Sequence, residues 1–142
     1  MKISARNQFA GVVTSVKEGA VNGVVSIETS CGKTIKADIT MEAIRELGLA
    51  EGVAAVAIVK ASNVMFAASA EKLAISARNQ FPGKIVKVEK GVVNGRVTLE
   101  TACGLRVSGS ITNEAIDDLG LVEGADALAF VKSTDVMVGI EE

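Results

Sequence analysis

The sequence predicts a mainly β protein of two tandem small barrels, each with five strands and one short helix. Three observations predict this fold: the chain repeats itself, apolar and polar residues alternate over short runs, and turn residues separate the runs. Aligning residues 3–70 with 75–142 without a gap leaves half of the positions identical. Because such a period indicates two structural units, the predicted domains are 1–68 and 75–142, joined by a linker at 69–74.

One block is kept in full in both repeats. The sequence Ile-Ser-Ala-Arg-Asn-Gln-Phe stands at residues 3–9 and again at 75–81. Strand interiors, by contrast, exchange one apolar residue for another, which a core tolerates when its volume is kept. A retained block that is partly polar needs another reason, and we favour a binding function. Asn7 and Gln8 have an alternative role, which is to fix the backbone at the start of a strand.

The first half of each repeat is predicted to hold three strands. An apolar, β-branched run at residues 9–16 predicts the first, and Asn22-Gly23 behind it is typical of a tight turn. Residues 25–28 and 35–39 alternate with period two, which predicts a hairpin with one exposed and one buried face.

The second half of each repeat is predicted to hold a helix and two strands. Helical spacing begins after Thr40, an N-cap residue type, and ends at Gly48. Residues 53–59 are apolar on both faces and predict a buried strand ending at Lys60, and residues 64–66 predict a last short strand. This order of elements is that of a small closed barrel of the OB type.

The composition argues against catalysis and against large charged partners. The chain has no histidine, no Trp or Tyr, four Phe, and a net charge of -2 from 15 basic and 17 acidic residues. Histidine is the commonest general base, and no Walker or GxGxxG loop is present, so no enzyme is expected. A nucleic-acid module needs a basic groove and stacking aromatic residues, so no nucleic-acid partner is expected.

The location of the protein is expected to be the cytoplasm. The first residues lack the apolar run of a signal peptide, and the longest apolar run, 53–59, is too short to cross a bilayer, so no membrane partner is expected. Each repeat has one cysteine, Cys31 or Cys103. This spacing excludes a cysteine-rich zinc site and predicts structural thiols in a reducing compartment.

Hydrogen-bond donors without matching acceptors recur in both repeats. The sets are Ser4, Arg6, Thr40 and Lys60 with Ala61-Ser62, and Ser76, Arg78, Thr112 and Lys132 with Ser133-Thr134. Guanidinium, ammonium, hydroxyl and helix N-terminal NH groups suit a small oxyanion, each charge-assisted bond contributing about 1.5–3 kcal/mol. A donor-only site disfavours protonated phosphate, whose OH needs an acceptor. The ordinary alternatives are a helix cap for Thr40 and a solvated strand end for Lys60.

The same segments resemble a known family. At Ser-Ala-Arg-Asn-Gln, at the Ile-Thr before the helix, at Leu-Gly-Leu and at Val-Lys, the chain resembles the molbindins, which are Mop-type (Mop/TOBE-like) molybdate-binding domains, in their tandem two-domain form. The resemblance covers essentially the whole chain. It implies OB-like barrels, a homo-oligomer that is a trimer of two-domain chains, molybdate or tungstate bound at interfaces between barrels, and no cofactor.

The resemblance also implies the ligand residues. One set is Ser4, Ala5, Arg6, Lys60, Ala61 and Ser62 from one barrel, with Thr40 from its neighbour. The other is Ser76, Ala77, Arg78, Lys132, Ser133 and Thr134, with Thr112 opposite. The family often has Ala-Pro after the lysine, so the hydroxyl groups found here could contact the anion or simply end the strand. A second type of anion site is expected at the turns, on Gly19, Val21, Asn22, Gly91, Val93 and Asn94.

The function expected from these observations is cytoplasmic binding of molybdate or tungstate for storage and homeostasis of molybdenum. One alternative is a regulatory subunit that senses molybdate and acts through a partner protein. The other, which the charge disfavours, is a nucleic-acid-binding OB module.

Overall fold

The computed structural model describes residues 1–141, so Glu142, the predicted end of the second domain, lies outside the described residues. The fold is mainly β with one short helix per repeat, as predicted. The first repeat contains β1 (Asn7–Lys17), β2 (Asn22–Thr29), β3 (Thr34–Thr40), α1 (Met41–Leu47), β4 (Ala54–Val59) and β5 (Met65–Ala67). The second contains β6 (Asn79–Lys90), β7 (Asn94–Thr101), β8 (Arg106–Thr112), α2 (Asn113–Asp118), β9 (Asp126–Val131) and β10 (Met137–Gly139).

The strands form two curled, five-stranded sheets, and the repeats exchange their last strands. The orders are β10-β4-β1-β2-β3 and β5-β9-β6-β7-β8, with β10 antiparallel to β4 and β5 antiparallel to β9. Each sheet curls until its edge strands approach each other, β3 near β10 and β5 near β8. Each curled sheet encloses a core of mainly aliphatic residues, with Phe9 in the first unit and Phe66 and Phe81 in the second.

The exchange makes the compact units differ from the sequence repeats. The first unit comprises Met1–Val59 and the segment from Lys132 onward, and the second unit comprises Lys60–Val131. The chain therefore leaves the first unit immediately after β4 and returns to it immediately after β9. The predicted boundaries, 1–68 and 75–142, describe the duplicated sequence, but neither repeat supplies all five strands of one sheet.

Side-chain volumes in the second unit fit the exchanged strand. A Cβ added at Gly109 on β8 would lie 2.4 Å from the ring of Phe66 on β5, so glycine makes room for that ring. The equivalent residues of the first unit are Ala37 on β3, which is fully buried, and Val138 on β10. A larger residue on one strand thus accompanies a smaller one on the other, as close packing requires.

The Asn-Gly dipeptides do not form the predicted turns. Asn22 and Gly23 are the first residues of β2, paired with Thr40 and Ile39, and Gly23 has no positive φ. Glycine is favoured there by packing, since an added Cβ would lie 2.9 Å from the carbonyl oxygen of Lys17 and 2.7 Å from Cδ1 of Ile44 on α1. The prediction was wrong because a close helix contact and a turn both select glycine.

The predicted helix boundaries are confirmed. Thr40 has extended backbone angles and its side chain accepts a hydrogen bond from the NH of Ala43, while Gly48 ends the helix with φ 64°. Thr112 caps α2 in the same way through Ala115. Ile44 is buried and anchors the helix on the sheet.

Two further findings concern the cysteines and the membrane. Neither Cys31 nor Cys103 is a free thiol, since both are disulfide-bonded, so the prediction of structural thiols was wrong. Within residues 1–141, no helix has the length and apolar character needed to cross a membrane.

Candidate oxyanion site

Part of the repeated seven-residue block serves the fold. Asn7 is buried and donates from Nδ2 to the carbonyl oxygen of Val59 at 3.2 Å, which ties β1 to the end of β4. Gln8 donates from Nε2 to the carbonyl oxygen of Ala5 at 3.3 Å, and Phe9 is in the core. The structural alternative for Asn7 and Gln8 is therefore supported.

The second copy of the block makes the same glutamine contact and adds two hydrogen bonds to Leu73. Gln80 accepts from the NH of Leu73 at 2.8 Å and donates to the carbonyl oxygen of the same residue at 3.0 Å. Its Nε2 also lies 3.4 Å from the carbonyl oxygen of Ala77. The lead-in to β6 is thus folded back onto the start of that strand.

The cations of the block lie at one end of a strand pair. The β1–β4 ladder ends where Asn7 pairs with Val59, so Arg6 and Lys60 are each the next residue along their strands. The β6–β9 ladder ends in the same way, with Arg78 and Lys132 one residue beyond the last pair, Asn79 and Val131. All four cations, with Ser4 and Ser76, are exposed.

These four cations differ from the basic residues on the strands of the second sheet, whereas Lys17 and Arg45 of the first unit resemble them in having no ion pair among residues 1–141. Among residues 1–141, neither Arg6, Arg78, Lys60 nor Lys132 forms an ion pair with a carboxylate. By contrast, Lys84, Lys87, Lys90, Arg96 and Arg106 all do. An unpaired cation next to hydroxyl groups keeps its full charge for a ligand.

The structure brings Thr40 together with Thr134 in the first unit. Ser133–Asp135 form a single turn of 3-10 helix that packs against β3, and Thr40 and Thr134 line one cavity of about 360 Å³. The walls also include Asp38 and apolar residues of α1 and β10. Sequence reasoning missed both this turn and Asp38, although Asp38 is two residues from Thr40 on the same strand face.

The second unit has an equivalent 3-10 turn that packs beside the equivalent threonine. Ala61–Asn63 form the matching 3-10 turn, which packs against β8, the strand that ends at Thr112. Each unit therefore contains a complete set of the predicted donor types. The first has Ser4, Ala5, Arg6, Thr40, Lys132, Ser133 and Thr134, and the second has Lys60, Ala61, Ser62, Ser76, Ala77, Arg78 and Thr112.

This grouping differs from the one that the family resemblance implied. Lys60 was expected beside Ser4 and Arg6 on one barrel, with Thr40 on the neighbouring barrel. The β1–β4 ladder leaves Arg6 and Lys60 side by side, as expected, whereas the division into compact units begins the second unit at Lys60 and keeps Thr40 with Arg6. The sets implied by the resemblance therefore stay a prediction. The individual residues were selected by sequence, whereas their distribution between units depends on the strand order.

The helix N-termini offer fewer free NH groups than expected. The NH of Met41 donates to the carbonyl oxygen of Val21 at 2.8 Å, and the NH of Ala43 donates to the hydroxyl oxygen of Thr40 at 3.1 Å. In α2 the NH groups of Asn113 and Ala115 are used in the same way. The Thr40 and Thr112 hydroxyls accept these bonds and keep their own hydrogen for another acceptor.

The turns expected to form a second type of site are partly closed by internal bonds. The NH of Gly91 donates to the carbonyl oxygen of Asn94 at 2.8 Å. Asn22 donates to the carboxylate of Asp38 at 3.2 Å. Val21 and Val93 point apolar side chains outward, with exposed fractions of 75% and 68%. Gly19 lies in the same exposed loop as Val21, between β1 and β2.

No cation site is found among the described residues. In the part of the chain from residue 1 to residue 141, no three His, Cys, Asp or Glu side chains cluster in a way that could hold a metal ion.

Comparison with known proteins defines the family. The TOBE domain model matches residues 3–66 and 75–138, so the chain belongs to the TOBE domain family and contains two copies of the domain. Among solved structures, the chain is similar to the cytoplasmic molybdate-binding protein ModG in a crystal form with molybdate bound. The TM-score is 0.95 at 42% identity, over 99% of this chain and 100% of that one.

Curated relatives include longer proteins. The molybdenum transport protein ModE of Herbaspirillum seropedicae is 39% identical over 100% of this chain and 53% of its own length. The molybdenum-pterin-binding protein MopA of Rhodobacter capsulatus is 36% identical over 99% of this chain and 53% of its own length. The chain thus spans about half the length of these relatives.

Proposed function

We propose that this protein binds molybdate or tungstate in the cytoplasm and holds it for storage and homeostasis of molybdenum, without catalysing a reaction. The observation that carries the proposal is the match, over the whole chain, to a structure described as a molybdate-binding protein with molybdate bound. The unpaired cations and hydroxyl groups kept in both repeats supply donors of the type that a tetrahedral dianion needs.

The proposed ligands are the two sets that the resemblance implies, in which Arg6 acts with Lys60 and Arg78 acts with Lys132. Arg6, Arg78, Lys60 and Lys132 supply charge, and the serine and threonine hydroxyls supply direction. Binding replaces the hydration of the dianion by these donors. Sulfate offers the same charge and no hydroxyl, so the size of the site must separate it from the larger metal oxyanions.

We also propose that copies of the chain associate, as a trimer, with anions at the interfaces. The exposed position of the donors supports this, since a single exposed cation contributes little binding in water. The exposed apolar side chains of Val21, Val92, Val93 and Val122 also support it, because 63–99% of each is open to solvent. A second copy would remove this surface from water.

A second candidate is a molybdate sensor that acts through a partner. It is favoured by the ModE relative, in which a matching region makes up only about half of a longer protein. Nucleic-acid binding has no such support, because Phe9, Phe66 and Phe81 are buried and Phe130 is half-buried, which leaves no exposed ring for a base to stack on.

The roles of the arginines are tested by Arg6→Ala/Arg78→Ala. We expect this variant to lose about 2–5 kcal/mol of molybdate binding, because association of the chains would enclose these arginine contacts and each one removed leaves the anion unpaired. Isothermal titration calorimetry with molybdate measures the loss, and sulfate is titrated in parallel.

The matched control is Arg45→Ala, which removes an exposed arginine of α1 outside the donor sets. It is expected to bind molybdate as the unmodified protein does. Unchanged affinity in the double arginine variant would contradict the assignment of Arg6 and Arg78.

A further inference from the structure

The two units differ in charge at equivalent positions around Thr40 and Thr112. The cavity of the first unit is lined by Asp38, Ile39, Thr40, Ala43, Leu47, Thr134, Val136, Met137 and Val138. Six of these residues are identical in the other repeat, and the three that change are Asp38 to Ser110, Thr134 to Ser62 and Val138 to Phe66. The one change of charge is therefore the carboxylate of Asp38.

A second carboxylate lies beside the same cavity. Asp135 follows Thr134 in the 3-10 turn and is half-buried, while its equivalent in the second unit is the neutral Asn63. The first unit therefore has two acidic residues near its paired threonines. The second unit has Ser110 and Asn63 at those positions.

Nearby charges do not cancel this difference. Asn22 donates one hydrogen bond to Asp38 at 3.2 Å but carries no charge. Two charge differences run the other way, because Lys36 and Arg45 are replaced by Ser108 and Asp117 in the second unit. Neither Lys36 nor Arg45 lines the cavity, and the charge of Asp117 is paired with Lys90. Charge repulsion depends on distance, so the carboxylates nearest to the anion dominate.

From these observations we propose that the two units bind the oxyanion unequally, with the second unit as the tighter site and Asp38 and Asp135 as the residues that weaken the first. This inference rests on the proposed function. Two carboxylates, each roughly 12 Å from a dianion in a medium with a dielectric constant of about 80, together weaken binding about tenfold. The chain would then fill one class of site before the other as the anion concentration rises.

The test exchanges the acidic residues between the units. Asp38→Ser/Asp135→Asn gives the first unit the residues of the second, and Ser110→Asp/Asn63→Asp does the reverse. Calorimetric titration with molybdate at low salt is expected to show two classes of site about tenfold apart in the unmodified protein. The first variant should show one class at the tighter affinity, and the reverse variant should show one class at the weaker affinity.

The possible outcomes distinguish failure of the proposed inequality between the units from failure of the proposed function. A single class of site in the unmodified protein, or a weaker class that is unchanged when Asp38 and Asp135 are replaced, would overturn the inequality while leaving molybdate binding intact. No molybdate bound by any of the three proteins would overturn the proposed function and the inequality with it. Because the reverse variant changes exposed and half-buried residues of the other unit, its result stands even if the first variant fails to fold.

Discussion

The two units share one backbone plan but fill it differently. In the second unit Gly109 accommodates the ring of Phe66, and in the first unit the equivalent residues are Ala37 and Val138. Within each unit the two side chains fit each other in size. In each case they come from strands of different repeats. Had each repeat kept its own last strand, Phe66 would have met Ala37 and Val138 would have met Gly109. The sequence is thus adapted to strand exchange at the level of single side chains.

The largest expected effect on stability is at Gly11 and Gly83, which occupy equivalent positions in the two units. An added Cβ at Gly11 would lie 2.3 Å from the carbonyl oxygen of Glu28, and at Gly83 it would lie 2.3 Å from that of Glu100. Because backbone cannot yield as a side chain can, Gly11→Ala and Gly83→Ala should each lower the free energy of unfolding by about 3 kcal/mol or more.

Chemical denaturation measures both variants. Ser15→Ala, at an exposed position on β1, is the control and should change stability little. A variant at either glycine that is as stable as the control would contradict the shared strand geometry.

A smaller effect tests the difference between the units. Gly109→Ala should cost about 1–3 kcal/mol because the new methyl group meets the ring of Phe66. Adding Phe66→Val removes the ring and gives the second unit the residue pair of the first. A double-mutant cycle in denaturant is expected to show a favourable coupling of about 1 kcal/mol or more.

Val138 provides the control for this cycle. Val138→Ala acts in the first unit, so it should add to Gly109→Ala without coupling. Coupling of Gly109 to Val138 in place of Phe66 would mean that each repeat keeps its own last strand.

The sequence predicted most elements because each leaves a local signal. Alternation located the strands, and Thr40 and Gly48 located the ends of α1 through capping chemistry that involves only neighbouring residues. The turn prediction at Asn22-Gly23 was wrong because Gly23 is selected by close contacts with the backbone of Lys17 and the side chain of Ile44, which depend on tertiary packing. Strand exchange was missed because the repeats are so alike that either last strand has the pattern to complete either sheet.

The candidate site was predicted in part for the same reason. Retention of Arg6, Lys60, Thr40 and their copies selected the donors from a single sequence. The partner of Thr40 within its unit, Thr134, could not be found, because the two residues are 94 positions apart in the sequence and only the exchanged strand brings them to one cavity. Asp38 was overlooked because an acidic residue does not fit a search for donors.

The measurement that tests the central claim most directly is native mass spectrometry of the purified protein, titrated with molybdate and, as control, with sulfate. We predict a trimer that gains several molybdate ions and no sulfate. A monomer that takes up neither anion would contradict the proposed binding function.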